Sequence, residues 1–327
     1  MELYKTKILI ISPFFGKPNL LYRIWVKTLV GNPSISFLLP VDSEETLSFI
    51  SSLNAPNIKS FYMSIKDFQA LAETTLKTKC LIQTGRKLAD FRPAFGLMFA
   101  QYVKRYDYWG VCDSDVVFGN LREVFTDKWA ASFDKYNVYA HLMIFRNTDE
   151  NNHLFMSKNL LKNATWKDAL ACPYNCYIEE FPISRVFDLS GKKTDIDFND
   201  YADIHVYHYR FRTSEKTSFG STPFILLWDN GHLFVLSKAK KSLEKHEIIY
   251  AHFQKRKMGV DSNAFSSPKM LIFPNNIVPV EKTDFLSLLP FFAKIKPFYG
   301  LKIKTAELRE KVKKKIERTF KNEPKIS

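Results

Sequence analysis

The sequence predicts an α/β protein, a mixed sheet flanked by helices, followed by a basic helical tail. Three observations lead there. The first third alternates short apolar runs with amphipathic runs of helical period. A strand-like run, "YDYWGVC", stops abruptly at Asp113-Ser114-Asp115, and α/β sheets keep their ligands at the carboxyl ends of strands. The positive charge collects at the far end: from Lys294 onward there are twelve Lys/Arg against four Glu, a surplus of eight in a chain of net charge +14.

The elements follow in order. "KILIIS" (7–12) is a first buried strand, and the Gly/Pro loop "PFFGKPN" leads to the amphipathic run "LLYRIWVKTLV". "SISFLLPVD" (34–42) is a second strand, "NIKSFYMS" a third, and "IKDFQALAETTL" a helix. "RPAFGLMFAQYVKRY" (92–106) reads as a helix with Pro93 at its start. "NVYAHLMIFRN" is a strand, "NNHLFMSKNLL" a helix, and residues 171–200 an irregular stretch. "PFILLWDNGHLFVLS" is a β-hairpin on Asn230-Gly231, and "EIIYAHFQKRKM" a strand entering a basic loop. With no internal repeat or low-complexity linker, we expect one domain over 1–290 and a basic amphipathic tail over 291–327.

At 327 residues the chain can bury a sizeable core, and 46% hydrophobic with 25% charged residues is ordinary for a globular protein. No run reaches the roughly 18–20 apolar residues of a membrane span. "MELYKTKILIISPFFG" lacks a small-residue cleavage site and reads as the first strand rather than a signal peptide. Cys80, Cys112, Cys172 and Cys176 lack redox or zinc spacing, so reduced cytosolic thiols are expected. The pI near 9.4 points to a polyanionic partner.

Asp113 and Asp115 repel each other unless a cation compensates. Two hard oxygen donors at a strand end suit Mn²⁺ or Mg²⁺, which leaves room for phosphate oxygens and would neutralise a diphosphate leaving group. In "YAHFQKRKM", His252 is a candidate third ligand or a core histidine. Lys255, Arg256 and Lys257 are a candidate diphosphate grip or a solvated face. In "GRKLADFRPAFG", Arg86, Lys87, Asp90 and Arg92 either bind ribose, a base edge or phosphates, or pair locally at a helix start.

These blocks, with "SPFFGKPNLLYRIWVKTLVGNPSISFLLPVD", "YDYWGVCDSDVVFGNLREVF" and "AHLMIFRN", cover most of residues 7–258. Together they resemble metal-dependent glycosyltransferases of the GT-A fold. More narrowly, they resemble a bacterial family from surface-polysaccharide (capsule and O-antigen) clusters, some of whose members are galactofuranosyltransferases. The resemblance implies a Rossmann-related GT-A sheet and a UDP-sugar donor carrying a hexose, galactose in pyranose or furanose form. It also implies a glycan acceptor. It matches Asp113 and Asp115 to the metal motif, His252 to the histidine of the basic block, and Asp90 and Arg92 to the donor side; Lys87, Lys255, Arg256, Lys257 and His141 join them as donor-side candidates, and His252 as a candidate metal ligand. Two positions depart from the family: Ala140 precedes His141 where relatives often have Gly, and Glu179-Glu180 replaces Asp-Glu.

An inverting transfer needs a carboxylate to take the acceptor proton. By its match to the second acidic residue of relatives, Glu180 is the expected base, with Glu179 the alternative. A retaining transferase on the same fold would need neither. Beyond the domain, Leu308, Val312, Ile316 and Phe320 form one helical stripe flanked by basic residues. The reading is an interfacial anchor on an anionic membrane's cytoplasmic face, suited to a lipid-linked acceptor; the alternative is a packed helix with a solvated face. The rival from another class is a basic nucleic-acid-binding protein without catalysis. The apolar stripe and the lack of any nucleic-acid motif argue against it, so no nucleic acid is expected as partner.

Overall fold

A computed structural model describes residues 4–197, 200–204, 211, 224–238, 243–254 and 256–280. Lys255 and the basic tail lie outside the described residues.

Among the described residues, sixteen strands are numbered in chain order: β1 Ile8–Ile11, β2 Ser36–Val41, β3 Ile58–Tyr62, β4 Tyr108–Cys112, β5 Val116–Phe118, β6 Lys135–Tyr136, β7 Leu142–Arg146 and β8 Thr194–Asp195. They continue as β9 Tyr201–Asp203, β10 Phe224–Asp229, β11 His232–Lys238, β12 Leu243–Ile248, β13 Tyr250–His252, β14 Gly259–Val260, β15 Lys269–Ile272 and β16 Asn276–Pro279. The helices are α1 Leu20–Val30, α2 Glu44–Ser52, α3 Ile65–Leu76, α4 Phe95–Met98, α5 Ala100–Val103, α6 Asp127–Ser132, α7 Asp149–His153, α8 Trp166–Ala171 and α9 Phe181–Leu189.

The main sheet has the order β3-β2-β1-β4-β7-β6-β8. Its first four strands are parallel, with Ile10 opposite Phe37 and Gly110, and β7 then runs antiparallel to β4. This is the mixed sheet flanked by helices that the sequence led us to expect. Gly110 is required where β4 meets β7, since a Cβ there would lie 2.5 Å from the Met143 carbonyl oxygen. Burial of both sheet faces explains why β1 and β2 are near-continuous apolar runs.

α1 and α3 begin where side chains satisfy the first free N–H groups. Asn19 caps α1, and Ser64 with Asp67 forms a capping box on α3. The inner face of α1 buries Leu21, Ile24, Trp25 and Leu29, each burial contributing about 1.5–3 kcal/mol. A second sheet, β12-β11-β10-β15-β16-β14, forms from the C-terminal part. Its hairpin turns on Asn230 and Gly231 at φ 50° and 92°, as a two-residue turn of that type requires. It shares a core with α1 through Leu21, Ile24, Trp228 and Met270. A three-stranded ribbon, β5-β13-β9, joins the two sheets.

Several elements differ from expectation. The stretch 92–106 is not one helix: a 3₁₀ segment, Gly85–Ala94, holds Pro93 inside it, and α4 and α5 are separated at Phe99. β7 starts only at Leu142: Asn137, at φ 65°, ends β6, and residues 138–141 turn before the strand begins. The run 151–161 keeps only the end of α7 and a single 3₁₀ turn. The irregular stretch 171–200 contains α9, with Pro182 in its first turn. The four cysteines are free. No helix among the described residues is long and apolar enough to cross a membrane.

Candidate active site

β4 ends at Cys112 and the chain turns through Asp113-Ser114-Asp115 into β5, at the carboxyl edge of the parallel strands. β5 pairs antiparallel with β13, with Val116 opposite His252. Phe253 N–H donates to the Asp115 carbonyl at 2.9 Å, and Asp113 N–H to the His141 carbonyl at 3.2 Å. Residues 137 positions apart are thus brought together by one ladder. His252 Nε2 lies 3.5 Å from Asp115 Oδ1 and 3.7 Å from Asp113 Oδ2.

On the other side of the ring, His252 Nδ1 meets Asp203 Oδ1 of β9 at 2.9 Å, and Gln254 Nε2 donates to the same oxygen at 2.7 Å. A carboxylate on one ring nitrogen fixes the orientation of the other, the usual arrangement behind a metal-bound histidine. Burial alone would lower the His252 pKa, but hydrogen bonds to Asp115 and Asp203, with the charge of Asp113, carry it to about 10. Asp113 is pushed up by burial and pulled down further by Arg92 and His252, so its carboxyl stays below the usual range. Arg92 reaches it at 2.5 Å.

The donor set fits a divalent cation. Asp113, Asp115 and His252 offer two hard oxygens and one imidazole nitrogen, all within 4.8 Å of one another. Metal binding there would displace the His252 proton and compete with Arg92 for Asp113.

The three residues line a cavity of about 1110 Å³, slightly larger than the usual range of small-molecule sites. Ser12, Asn19 and Tyr22 line it from the end of β1 and the start of α1. Arg86, Arg92, Arg256 and Lys257 add positive charge to the wall. Asn175, Tyr177, Glu179 and Glu180 line it from the loop between α8 and α9. Both glutamates therefore reach the cavity, although neighbours in a chain usually point apart. Glu180, at φ −114° and ψ −106°, is neither helical nor extended, which lets this happen. Burial raises both carboxyls, Glu179 to about 7. Glu180 Oε1 accepts from Ala140 N–H at 3.3 Å, whereas Glu179 Oε2 is buried without a partner.

Three donor-side expectations are corrected by burial. Lys87 and Asp90 do not face the cavity; they are 0% and 1% exposed and pair with each other at 2.8 Å. The 3₁₀ segment turns them inward while Arg86 and Arg92 face out. His141 is also buried behind the wall, its Nδ1 bonded to the Tyr250 hydroxyl at 2.8 Å and its ring 4.7 Å from that of His252. Burial and the neighbouring His252 charge lower the His141 pKa to about 3, so it stays neutral. Arg256 lines the cavity, but its guanidinium also donates to the Pro274 carbonyl and the Asn275 side chain. Lys255 lies outside the described residues. Asp203 and Gln254 were missed, since nothing local in "YAD" marks a partner 49 residues from His252.

A family described as a family of unknown function, DUF6625, matches residues 10–281. The chain belongs to this family. No curated protein matches the DUF6625 chain. Solved structures similar to this chain include the galactosyltransferase LgtC in complex with donor and acceptor sugar analogs. It is 12% identical over 60% of this chain and 75% of that one, with a TM-score of 0.39. Mouse xyloside xylosyltransferase 1 in its apo form is 9% identical over 61% and 87%, with a TM-score of 0.40. A glycosyltransferase involved in glycosylation of the major capsid of PBCV-1 is 12% identical over 62% and 86%, with a TM-score of 0.35.

Proposed function

We propose that this DUF6625 protein is a metal-assisted glycosyltransferase. It moves a hexose, galactose in pyranose or furanose form, from a UDP-sugar to a surface-glycan acceptor with inversion at the anomeric carbon. The observation that carries the reading is the Asp113–Asp115–His252 cluster, set at the strand ends of a cavity with basic side chains and two raised carboxyls on its wall.

Asp113, Asp115 and His252 would hold Mn²⁺ or Mg²⁺, and Asp203 keeps His252 turned toward them. The ion, when bound, supplies Lewis-acid stabilisation of the departing diphosphate. Arg86, Arg92, Arg256 and Lys257 attract and orient the same anionic group. Glu180 takes the proton of the attacking hydroxyl; a raised carboxyl has a driving force suited to that task. Glu179 would serve if the acceptor entered from its side.

Thermal unfolding with UDP and Mn²⁺, singly and together, tests the reading. Ligands that bind only the folded state stabilise it by mass action. The pair should raise Tm by several degrees more than either alone, and Asp113→Asn should abolish the gain. An identical UDP shift in EDTA, or no shift at all, overturns the reading. Incubation with UDP-galactose and polysaccharide acceptors, followed by NMR of the product anomer, then fixes sugar and stereochemistry.

The reading extends to residues 291–327, whose alternation of apolar and basic positions supports an anchor on an anionic membrane surface. Sedimentation with anionic liposomes that falls as salt rises is the expected result. Indifference to liposomes at low salt removes the anchor from the proposal.

A further inference from the structure

We infer that residues 174–181 form a platform that stacks the terminal hexose of a neutral glycan acceptor on exposed aromatic rings, and that the buried Lys87–Asp90 pair exists to hold it. The inference rests on the glycosyltransferase reading and names its acceptor site; of the three rings, Tyr177 lines the cavity.

Tyr174, Tyr177 and Phe181 are 60%, 57% and 60% exposed. Three large aromatics left in water within eight residues are unusual on a surface without a ligand. They are also not loosely held. Asp90 accepts from the backbone N–H of Cys176 at 2.8 Å and of Ile178 at 3.2 Å. Lys87 Nζ donates to the Tyr174 carbonyl at 3.0 Å and to the Ala169 carbonyl. The backbone is thus pinned from below on both sides of Tyr177, which sits at φ 58°. A bulky residue there costs about 1–2 kcal/mol, a cost that persists only where its surroundings dictate it. Phe181 is set edge-on against Tyr139, whose ring stacks on His141, which lies against His252. Ring contacts thus link Phe181, through Tyr139 and the buried His141, to the acidic cluster.

The chemistry of the segment selects the ligand. "PYNCYIEEF" (173–181) has two glutamates and no Lys or Arg, so it disfavours phosphate, lipid headgroups and nucleic acid. A pyranose offers an apolar C–H face to a ring and a rim of hydroxyl donors. Tyrosine suits both at little entropic cost. Glu179 and Glu180, which follow Tyr177 and line the cavity, offer carboxyl oxygens to such hydroxyls. The exposed rings offer about 300–400 Å², half of what a stable protein partner covers on one side, about 800 Å².

The test uses full-length protein in two arms. Saturation-transfer NMR with methyl β-D-galactopyranoside, methyl β-D-glucopyranoside and lactose reads the platform. Calorimetric titration of UDP with Mn²⁺ reads the donor side. Wild type should bind at least one saccharide, and Tyr174→Ala/Tyr177→Ala/Phe181→Ala should weaken it at least tenfold while the UDP–Mn²⁺ affinity stays within twofold. Tyr177→Phe, which keeps the ring, should stay within threefold for the saccharide. If wild type binds UDP–Mn²⁺ but no saccharide, or the triple variant binds saccharide like wild type, the platform is wrong and the donor reading stands. If the triple variant also loses UDP, these residues serve the donor or the fold, and the platform falls. If wild type binds saccharide but no UDP–Mn²⁺, the platform is a sugar-binding site and the transferase reading falls. If it binds neither, both fall.

Discussion

Two charged groups a few residues apart in the 3₁₀ segment Gly85–Ala94 follow opposite rules. Lys87 and Asp90 are sealed, and every partner is accounted for: the ammonium reaches one carboxylate and two carbonyls, and the carboxylate takes two backbone N–H groups besides. Arg92 instead reaches out to Asp113, where two carboxylates and His252 crowd at the edge of a cavity. Charged residues in one short stretch thus make a structural staple and one wall of the candidate site. Burying two charges costs several kcal/mol per ion before pairing offsets it. A fully satisfied buried pair therefore tells of positioning, whereas an acidic cluster at a cavity edge is the arrangement that the proposed cation would neutralise.

The comparison breaks first at the staple. Asp90→Ala leaves the Lys87 ammonium buried without its counter-ion and frees two backbone N–H groups. We expect a loss of about 3–5 kcal/mol, read as a lower urea midpoint. Lys87→Met/Asp90→Leu removes both charges and should recover part of that loss. A single variant as stable as wild type would mean that the pair is not a staple.

Asp115→Asn should behave in the opposite way. We expect Tm to stay within about 3 °C of wild type, because relieving carboxylate repulsion offsets a lost hydrogen bond. Metal-dependent UDP binding or transfer should fall about 100-fold, or about 2.7 kcal/mol. A large stability loss with binding retained would make the acidic cluster a second staple.

Asp203 sharpens the line between the two groups, because it touches the cluster only through His252. Asp203→Asn should weaken Mn²⁺ binding about 10–100-fold, measured by competition with a metal-responsive dye. His252→Ala should weaken it similarly, and the double variant should add little, since Asp203 acts through the ring. Full additivity would sink that assignment.

What the sequence revealed follows the same divide. The bounds of α1 and α3 were legible because helical period and caps agree there, and Asp113 and Asp115 were legible because a strand end and a paired acid are local signals. The inward turn of Lys87 and Asp90 was not, since a 3₁₀ segment interrupted by Pro93 carries no periodicity to tell inside from outside. α2 went unassigned despite its Ser43 cap because it buries only Thr46 and Ile50, too little for an apolar stripe. α9 was hidden in acidic and polar surroundings, though Pro182 marks its first turn. His252 was legible beside its basic run, but Asp203 depends on β9 pairing with β13 across 49 residues, which no local pattern encodes.

A third buried charge separates pairing from burial itself. Lys135 is as buried as Lys87, but its Nζ meets the Asn137 carbonyl and the Ser184 hydroxyl instead of a carboxylate. Burial therefore lowers its pKa to about 7, with only partial relief from Asp188. An unfolded lysine titrates near 10.4. Between those two values the unfolded chain holds a proton that the folded chain does not, so this residue makes stability rise with pH from about 7 to 10. Below about pH 7 both states are charged, and the folded state carries the whole cost of the buried ammonium. Lys135→Met removes the titration and keeps most of the volume. Urea unfolding at pH 7.0, 7.5, 8.0 and 8.5 should show the gap between variant and wild type shrinking as pH rises, by about 1 kcal/mol per unit. The shared titrations of other groups cancel in that difference. A gap that is flat with pH would mean that Lys135 stays charged when folded, and that a carbonyl and a hydroxyl can hold a buried ammonium as well as Asp90 does.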